Sequence, residues 1–270
     1  MGLIFDKKSA KLYESWCQSA HGRAMDKFAE DSIITLMDPR PGDRVLDIGC
    51  GQGNHLLFLN RLGLNISGID ASPYMISRAR ERLGNRCFLK TAAAEDLPFD
   101  DNEFDLVILV NTLEFLDDPL QALREAGRVA KNKVFIGAMN SLSWHCLCHR
   151  LQSLFRDSIF RYVKFYSLWE LKFSVQRVFG NVPIAWSCSR LWPPFIERIG
   201  TLLTDHWNLK YCPFGSFLGL AVTVFYSMKT DNLPLKIRIK KTKESIAGGL
   251  TMRNSNHVEG VKKGERSLPL

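Results

Sequence analysis

The sequence predicts an α/β protein built on a doubly wound, mostly parallel seven-stranded sheet, with a helical lid inserted after the fifth strand. Three observations carry that expectation. Short apolar runs alternate with helical patterns between residues 44 and 137, which implies βαβ units and a parallel sheet covered on both faces. One run, LVILV at 106–110, is apolar throughout, as a strand buried on both faces must be. The stretch VLDIGCGQGN (45–54) places three glycines at alternate positions between a strand and a helix.

Taken in order, 44–48, 65–69, 87–90, 105–110 and 133–137 read as strands. Helical spacing fills 54–62, 75–83 and 119–129 between them. The C-terminal ends of parallel strands line up at one rim, where doubly wound sheets bind ligands. After Gly137 the pattern changes. Residues 141–180 are rich in aromatic and basic side chains, look helical and end at Gly180. Two late strands, 182–187 and 216–226, then form a closing hairpin on the same sheet, with turns at 181–183 and 192–194. The expected organisation is an N-terminal helical cover (1–40), a cofactor-binding core (41–140), a lid with closing strands (141–227) and a basic, disordered tail (228–270).

Composition fits this division. The chain has 270 residues, of which 46% are hydrophobic, enough for a sizeable core. The net charge of +8 is unevenly spread. Residues 228–270 hold ten Lys or Arg against four acids, which leaves only +2 for residues 1–227. A nearly neutral body argues against a large polyanionic substrate, so no nucleic-acid partner is expected. Seven scattered cysteines and the lack of a signal-peptide pattern at the start point to reduced thiols and a cytoplasmic protein. The longest apolar run, 214–226, is shorter than the roughly 18 residues of a membrane span.

The glycine loop narrows the ligand. A dinucleotide site would favour G-x-G-x-x-G, but here the glycines are Gly49, Gly51 and Gly53, with Asn54 following. Asp47 lies at the strand end beside the loop, and a carboxylate there repels a pyrophosphate while attracting an ammonium or sulfonium. Asp70 ends the second strand in GIDAS, placed to accept hydrogen bonds from two ribose hydroxyls. Ala71 and Met75 offer small and polarizable surfaces to a purine. TAAAEDLPF (91–99) supplies backbone amides and an acid beside an adenine edge, and the fourth strand ends at Val110 and Asn111, across from the loop. Ser72 fills the N-cap position before Pro73, which leaves Asp70 for the ligand.

VLDIGCGQGN, GIDAS, AAAEDLPF and FDLVILVNTLEFLDDP, in this order and at these intervals, resemble the class I S-adenosylmethionine-dependent methyltransferases, especially the group containing UbiE-like small-molecule and quinone methyltransferases. The likeness is strong over 13–138. YESWCQSAHG (13–22) is similar to the N-terminal stretch that forms a helical cover over the cofactor in that group, which brings Tyr13 to the site. The resemblance implies S-adenosyl-L-methionine as cofactor on a Rossmann-like methyltransferase fold. It puts Gly49, Cys50 and Gly51 against the methionine part and Asp47 near its ammonium. Asp70 takes the ribose, Ala93, Ala94 and Glu95 the adenine, and Val110 the methionine end. The sequence departs from the pattern twice: Ala92 and Ala93 stand where many relatives have Gly-Asp, and Phe115 where they often have His.

The function expected is methyl transfer to a small organic acceptor, apolar or lipid-like acceptors included. Tyr13, His21, Asn111, Glu114 and Tyr166 are candidate bases, and none is singled out as catalytic. No metal is expected, because Cys146 with Cys148 and His145 with His149 cannot converge tetrahedrally from one helix. The aromatic and basic stretch 141–180 reads as a lid packed on the sheet, with an amphipathic surface for a membrane or lipid-like acceptor as the alternative. Two other function classes stay open: an NAD-dependent oxidoreductase, disfavoured by Asp47 and Asn54, and a non-catalytic S-adenosylmethionine-binding protein.

Overall fold

The strands form where β-branched and apolar residues cluster, and the helices where caps and apolar spacing allow them. The computed structural model describes residues 4–153, 163–189 and 213–224, all within the unit Met1–Ser227. The expected tail, the second unit Met228–Leu270, lies outside the described residues, as do the turn expected at 192–194 and part of the expected helical stretch. The strands are β1 (Arg44–Ile48), β2 (Asn65–Asp70), β3 (Phe88–Thr91), β4 (Phe104–Val110), β5 (Ala130–Met139), β6 (Ile184–Cys188) and β7 (Phe217–Thr223). They make one sheet in the order β3-β2-β1-β4-β5-β7-β6. β7 runs antiparallel to both its neighbours, and the other pairings are parallel.

The helices are α1 (Lys7–Cys17), α2 (Ala20–Met37), α3 (Asn54–Arg61), α4 (Pro73–Leu83), α5 (Pro119–Val129), α6 (Trp144–Ser153) and α7 (Leu168–Phe179). Their starts are chemically marked. Ser72 Oγ accepts from Met75 N at 3.2 Å with Pro73 at the first position, and Asp118 does the same for α5 with Pro119. Ser167 and Glu170 close a capping box on α7.

Alternation along β1 sorts the core into two layers. Val45 packs with Met25 of α2, Leu56 of α3 and Ile76 of α4. Leu46 and Ile48 pack on the opposite face with Leu123 of α5 and Leu171 and Val175 of α7. From β1 the chain steps outward through β2 to β3, then returns to place β4 on the other side of β1. That reversal opens a crevice between the ends of β1 and β4, the topological switch point.

Two elements differ from expectation. β5 begins at Ala130, earlier than the predicted 133, because the polar and partly exposed residues 131–133 hide a strand that pairs with both β4 and β7. Residues 163–167 are not helical. Tyr166 instead bridges Asn140, with Tyr166 N donating to Met139 O at 3.2 Å and Ser141 N to Tyr166 O at 2.9 Å. α2 does more than cover the site, since it lies against β5 and β7 through Met25, Ala29 and Ile33.

Candidate functional site

The loop between β1 and α3 turns because three glycines adopt left-handed backbone angles: φ is 74° at Gly49, 52° at Gly51 and 78° at Gly53. A Cβ on Gly49 would meet Thr112 at 2.5 Å, whereas one on Gly51 would stand in open space, so Gly51 is where a ligand can approach the bare backbone. Gly49 N and Cys50 N both donate to Ile69 O at 2.8 Å, tying the loop to the end of β2. Asp70 completes the tie. Its Oδ2 accepts from Gly51 N at 2.9 Å and its Oδ1 from Ser72 N at 2.8 Å, leaving acceptor capacity on both oxygens.

A cavity of about 320 Å³ opens over this loop. Of the sequence-predicted residues, Tyr13, Gly49, Gly51, Asp70, Ala71, Met75, Ala93, Ala94, Glu95 and Asn111 line it. Cys50 and Val110 line a second cavity of about 540 Å³, which shares Tyr13, Gly49 and Gly51 with the first. Asp47 lines neither. Only 1% exposed, it shares Val45's side of β1 and lies beneath the loop, so its Oδ2 is buried without a hydrogen-bond partner. Asp47 thus stands buried beside the loop rather than on a cavity wall.

The electrostatics favour positive charge. Burial pushes the Asp47 carboxyl well above the usual carboxylate range, and Asp70 adds to it. Asp70 is also raised by burial, with the Ser72 and Gly51 amides opposing. On the wall, Asn111 holds a left-handed φ of 51°, donates its backbone N–H to Gly137 O at 2.8 Å and leaves its buried side-chain Oδ1 without a partner. Two acids and an orphaned acceptor around bare backbone suit a nucleoside whose tail carries an ammonium or sulfonium. The residues fit such a group.

Phe5, Thr112 and Phe115 line the wall without having been expected there, and the first and last of them join the expected Tyr13. Phe5, Tyr13 and Phe115 form an aromatic cover, with Phe5 5.5 Å from Tyr13 and 5.0 Å from Phe115 between ring centroids. Thr112 clamps the crevice by donating Oγ1–H to Ile48 O at 2.9 Å. The one local signal was Phe115, conspicuous because relatives carry His there.

Of the candidate bases, Tyr13, Asn111, Glu114 and Tyr166 come together. Tyr13 is pushed well above its ordinary value by burial, with Cys17, Asp26 and Glu114 adding and an Asn111 hydrogen bond opposing. Burial pushes the Glu114 carboxyl up to about 7, against the hydrogen bond its Oε1 accepts from Met139 N at 2.8 Å. Its Oε2 is buried without a partner. Tyr166 Oη donates to Leu113 O at 3.3 Å. His21 instead stacks on His145 with centroids 3.9 Å apart, and His145 Nδ1 meets Ser216 Oγ at 2.9 Å. The aromatic-cysteine cluster of α6 is thus packed against α2 and the start of β7.

Comparison with known proteins agrees with this geometry. Residues 46–136 match the family model described as a methyltransferase domain. The 27-O-demethylrifamycin SV methyltransferase of Amycolatopsis mediterranei is 31% identical over 107 residues, 37% of this chain and 39% of that protein. An uncharacterized protein of Methanocaldococcus jannaschii is 34% identical over 145 residues, 51% of this chain and 62% of its own. The chain spans 30% to 62% of the length of the curated relatives it matches. Among solved structures, an S-adenosylmethionine-dependent methyltransferase of Thermotoga maritima superposes with a TM-score of 0.59 at 23% identity, covering 80% of this chain and 96% of that one. The magnesium protoporphyrin IX methyltransferase of Synechocystis, solved with bound S-adenosylhomocysteine, gives 0.59 at 14% identity, covering 82% and 96%. At such identities the likeness speaks for the fold.

Proposed function

We propose that the protein, whose residues 46–136 match the family model of a methyltransferase domain, binds S-adenosylmethionine and transfers its methyl group to a small organic acceptor. The observation that carries this reading is the cavity of about 320 Å³ in which Gly51, Asp70 and Asn111 face one space. Bound there, the cofactor supplies a methyl carbon made electrophilic by its sulfonium. The chain's part is to bind, orient and keep out water.

In this reading Asp70 accepts from the ribose hydroxyls with the oxygen capacity its two amide bonds leave free. Ala71 and Met75 cover the purine, and Ala93, Ala94 and Glu95 border its edge. Gly49, Cys50, Gly51, Val110 and Asn111 surround the methionine end, and Asp47 stands buried behind the loop. Phe5, Tyr13 and Phe115 exclude water over the reacting groups. Methyl transfer is an in-line displacement, so the main requirement is to hold acceptor and methyl carbon about 3 to 3.5 Å apart. Of the candidate bases, Tyr13 and Asn111 line the cavity, while Glu114, pushed up to about 7 by burial, lies behind them and lines neither cavity.

A small-molecule acceptor is supported by the relative named for demethylrifamycin SV and by the nearly neutral body. The test is calorimetric. Asp70→Ala removes a charged acceptor worth about 1.5 to 3 kcal/mol and should weaken S-adenosylhomocysteine binding about tenfold or more. Unchanged affinity would refute the assignment.

A further inference from the structure

Ten large hydrophobic side chains are exposed among the described residues, and six of them fall between residues 142 and 214, where α6 packs on one face of the sheet and α7 on the other. Leu142, Trp144 and Leu147 follow β5, Trp169 and Phe173 lie on α7, and Phe214 precedes β7. β5 is parallel to β4 and β7 is antiparallel to β5, so the end of β5 and the start of β7 share the rim that carries the cofactor loop. Tyr166 brings the start of α7 to the same rim through its bridge to Asn140 and its bond to Leu113 O. On α7, Leu168, Leu171 and Val175 are buried, while Trp169 and Phe173, four residues apart, are 57% and 65% exposed.

Charge follows the same stretch. Among the residues after 141 with described side chains, Lys164, Lys172 and Arg177 outnumber the single acid, Glu170. Lys172 Nζ lies 5.0 Å from the Trp186 ring centroid and Lys164 Nζ 5.1 Å from that of Tyr166, so cations and aromatics are interleaved here. Exposed Trp, Phe and Leu among Lys and Arg is the composition that settles at a lipid interface and is drawn to anionic headgroups.

We propose that this rim docks on an anionic phospholipid bilayer, so that the acceptor enters from the membrane phase. The delivery of the acceptor rests on the methyl-transfer reading; the docking does not. The occupant is an anionic lipid surface rather than a second copy of the chain because a copy presenting the same Lys164 and Lys172 cations would repel them.

The experiment is co-sedimentation of the full chain with phosphatidylcholine vesicles, with and without phosphatidylglycerol, alongside S-adenosylhomocysteine titration of each variant. The wild type should bind the anionic vesicles and leave the neutral ones. Trp169→Ser with Phe173→Ser should lower partitioning about tenfold while keeping S-adenosylhomocysteine affinity. Full-length chain with Lys236, Lys240, Lys241 and Lys243 changed to Gln should still bind, which separates the rim from the basic tail. Equal binding to neutral vesicles, no binding at all, loss only in the tail variant, or a wild-type dimer that the Trp169/Phe173 variant dissolves would each overturn the proposal. Failure of S-adenosylhomocysteine binding alone would instead strike the cofactor reading.

Discussion

Glu114→Gln tests the electrostatics of the buried cluster through stability. Glu114 is 2% exposed, its Oε1 takes the Met139 amide, and its Oε2 has no partner. Burial moves its pKa from an ordinary 4.5 to about 7 in the folded state. Below pH 4.5 the carboxyl is protonated whether folded or not and carries no penalty. Between 4.5 and 7 the unfolded chain ionises first, so the folded state loses ground as pH rises, and above 7 the loss levels off at about 3 kcal/mol. Gln keeps an oxygen for Met139 N but never ionises. It also brings buried amide hydrogens that cost about 1 to 3 kcal/mol at every pH. The variant should therefore be less stable than wild type near pH 4.5 and draw level with or pass it by pH 8. Urea unfolding at pH 4.5, 6 and 8 measures this, read at constant slope. Asp26, pushed up to about 6, and the raised Asp47 and Asp70 tilt both proteins alike, so only the difference counts. A difference that does not change with pH would refute the argument.

Three further outcomes follow from the same geometry. Gly51→Ala places a Cβ at φ 52° in open space, so stability should fall by only about 1 to 2 kcal/mol while S-adenosylhomocysteine affinity drops about tenfold or more, measured by thermal melts and calorimetry. Thr112→Val deletes the buried hydroxyl that bonds Ile48 O and should cost about 1 to 3 kcal/mol in urea unfolding. Phe135→Ala, at a fully buried site in the middle of β5, should cost about 3 to 5 kcal/mol, and a loss below about 1 kcal/mol would contradict the central place given to that strand.

Local signals in the sequence carried the first half of the fold. The glycine spacing, the Asp70 terminus and the Ser72-Pro73 start each act within a few residues, and each sits in the structure where the sequence puts it. What was hidden depends on distant partners. Residues 130–132 were assigned to no element because their strand character comes from pairing with β4 and β7. Phe5 and Thr112 are tied to the site by hydrogen bonds spanning 67 and 64 residues, with Ser72 and Ile48. Asp47 was legible as an acid at the strand end, but its depth was not, because that follows from which face of β1 the helices cover.

The most direct measurement of the central claim is a calorimetric titration of the full-length protein with S-adenosylhomocysteine and, separately, with NADH. Saturable one-to-one binding of S-adenosylhomocysteine with no heat from NADH is the result expected of a cavity whose acids and bare backbone suit a positively charged adenosyl ligand. Binding of NADH alone, or of neither, would contradict it.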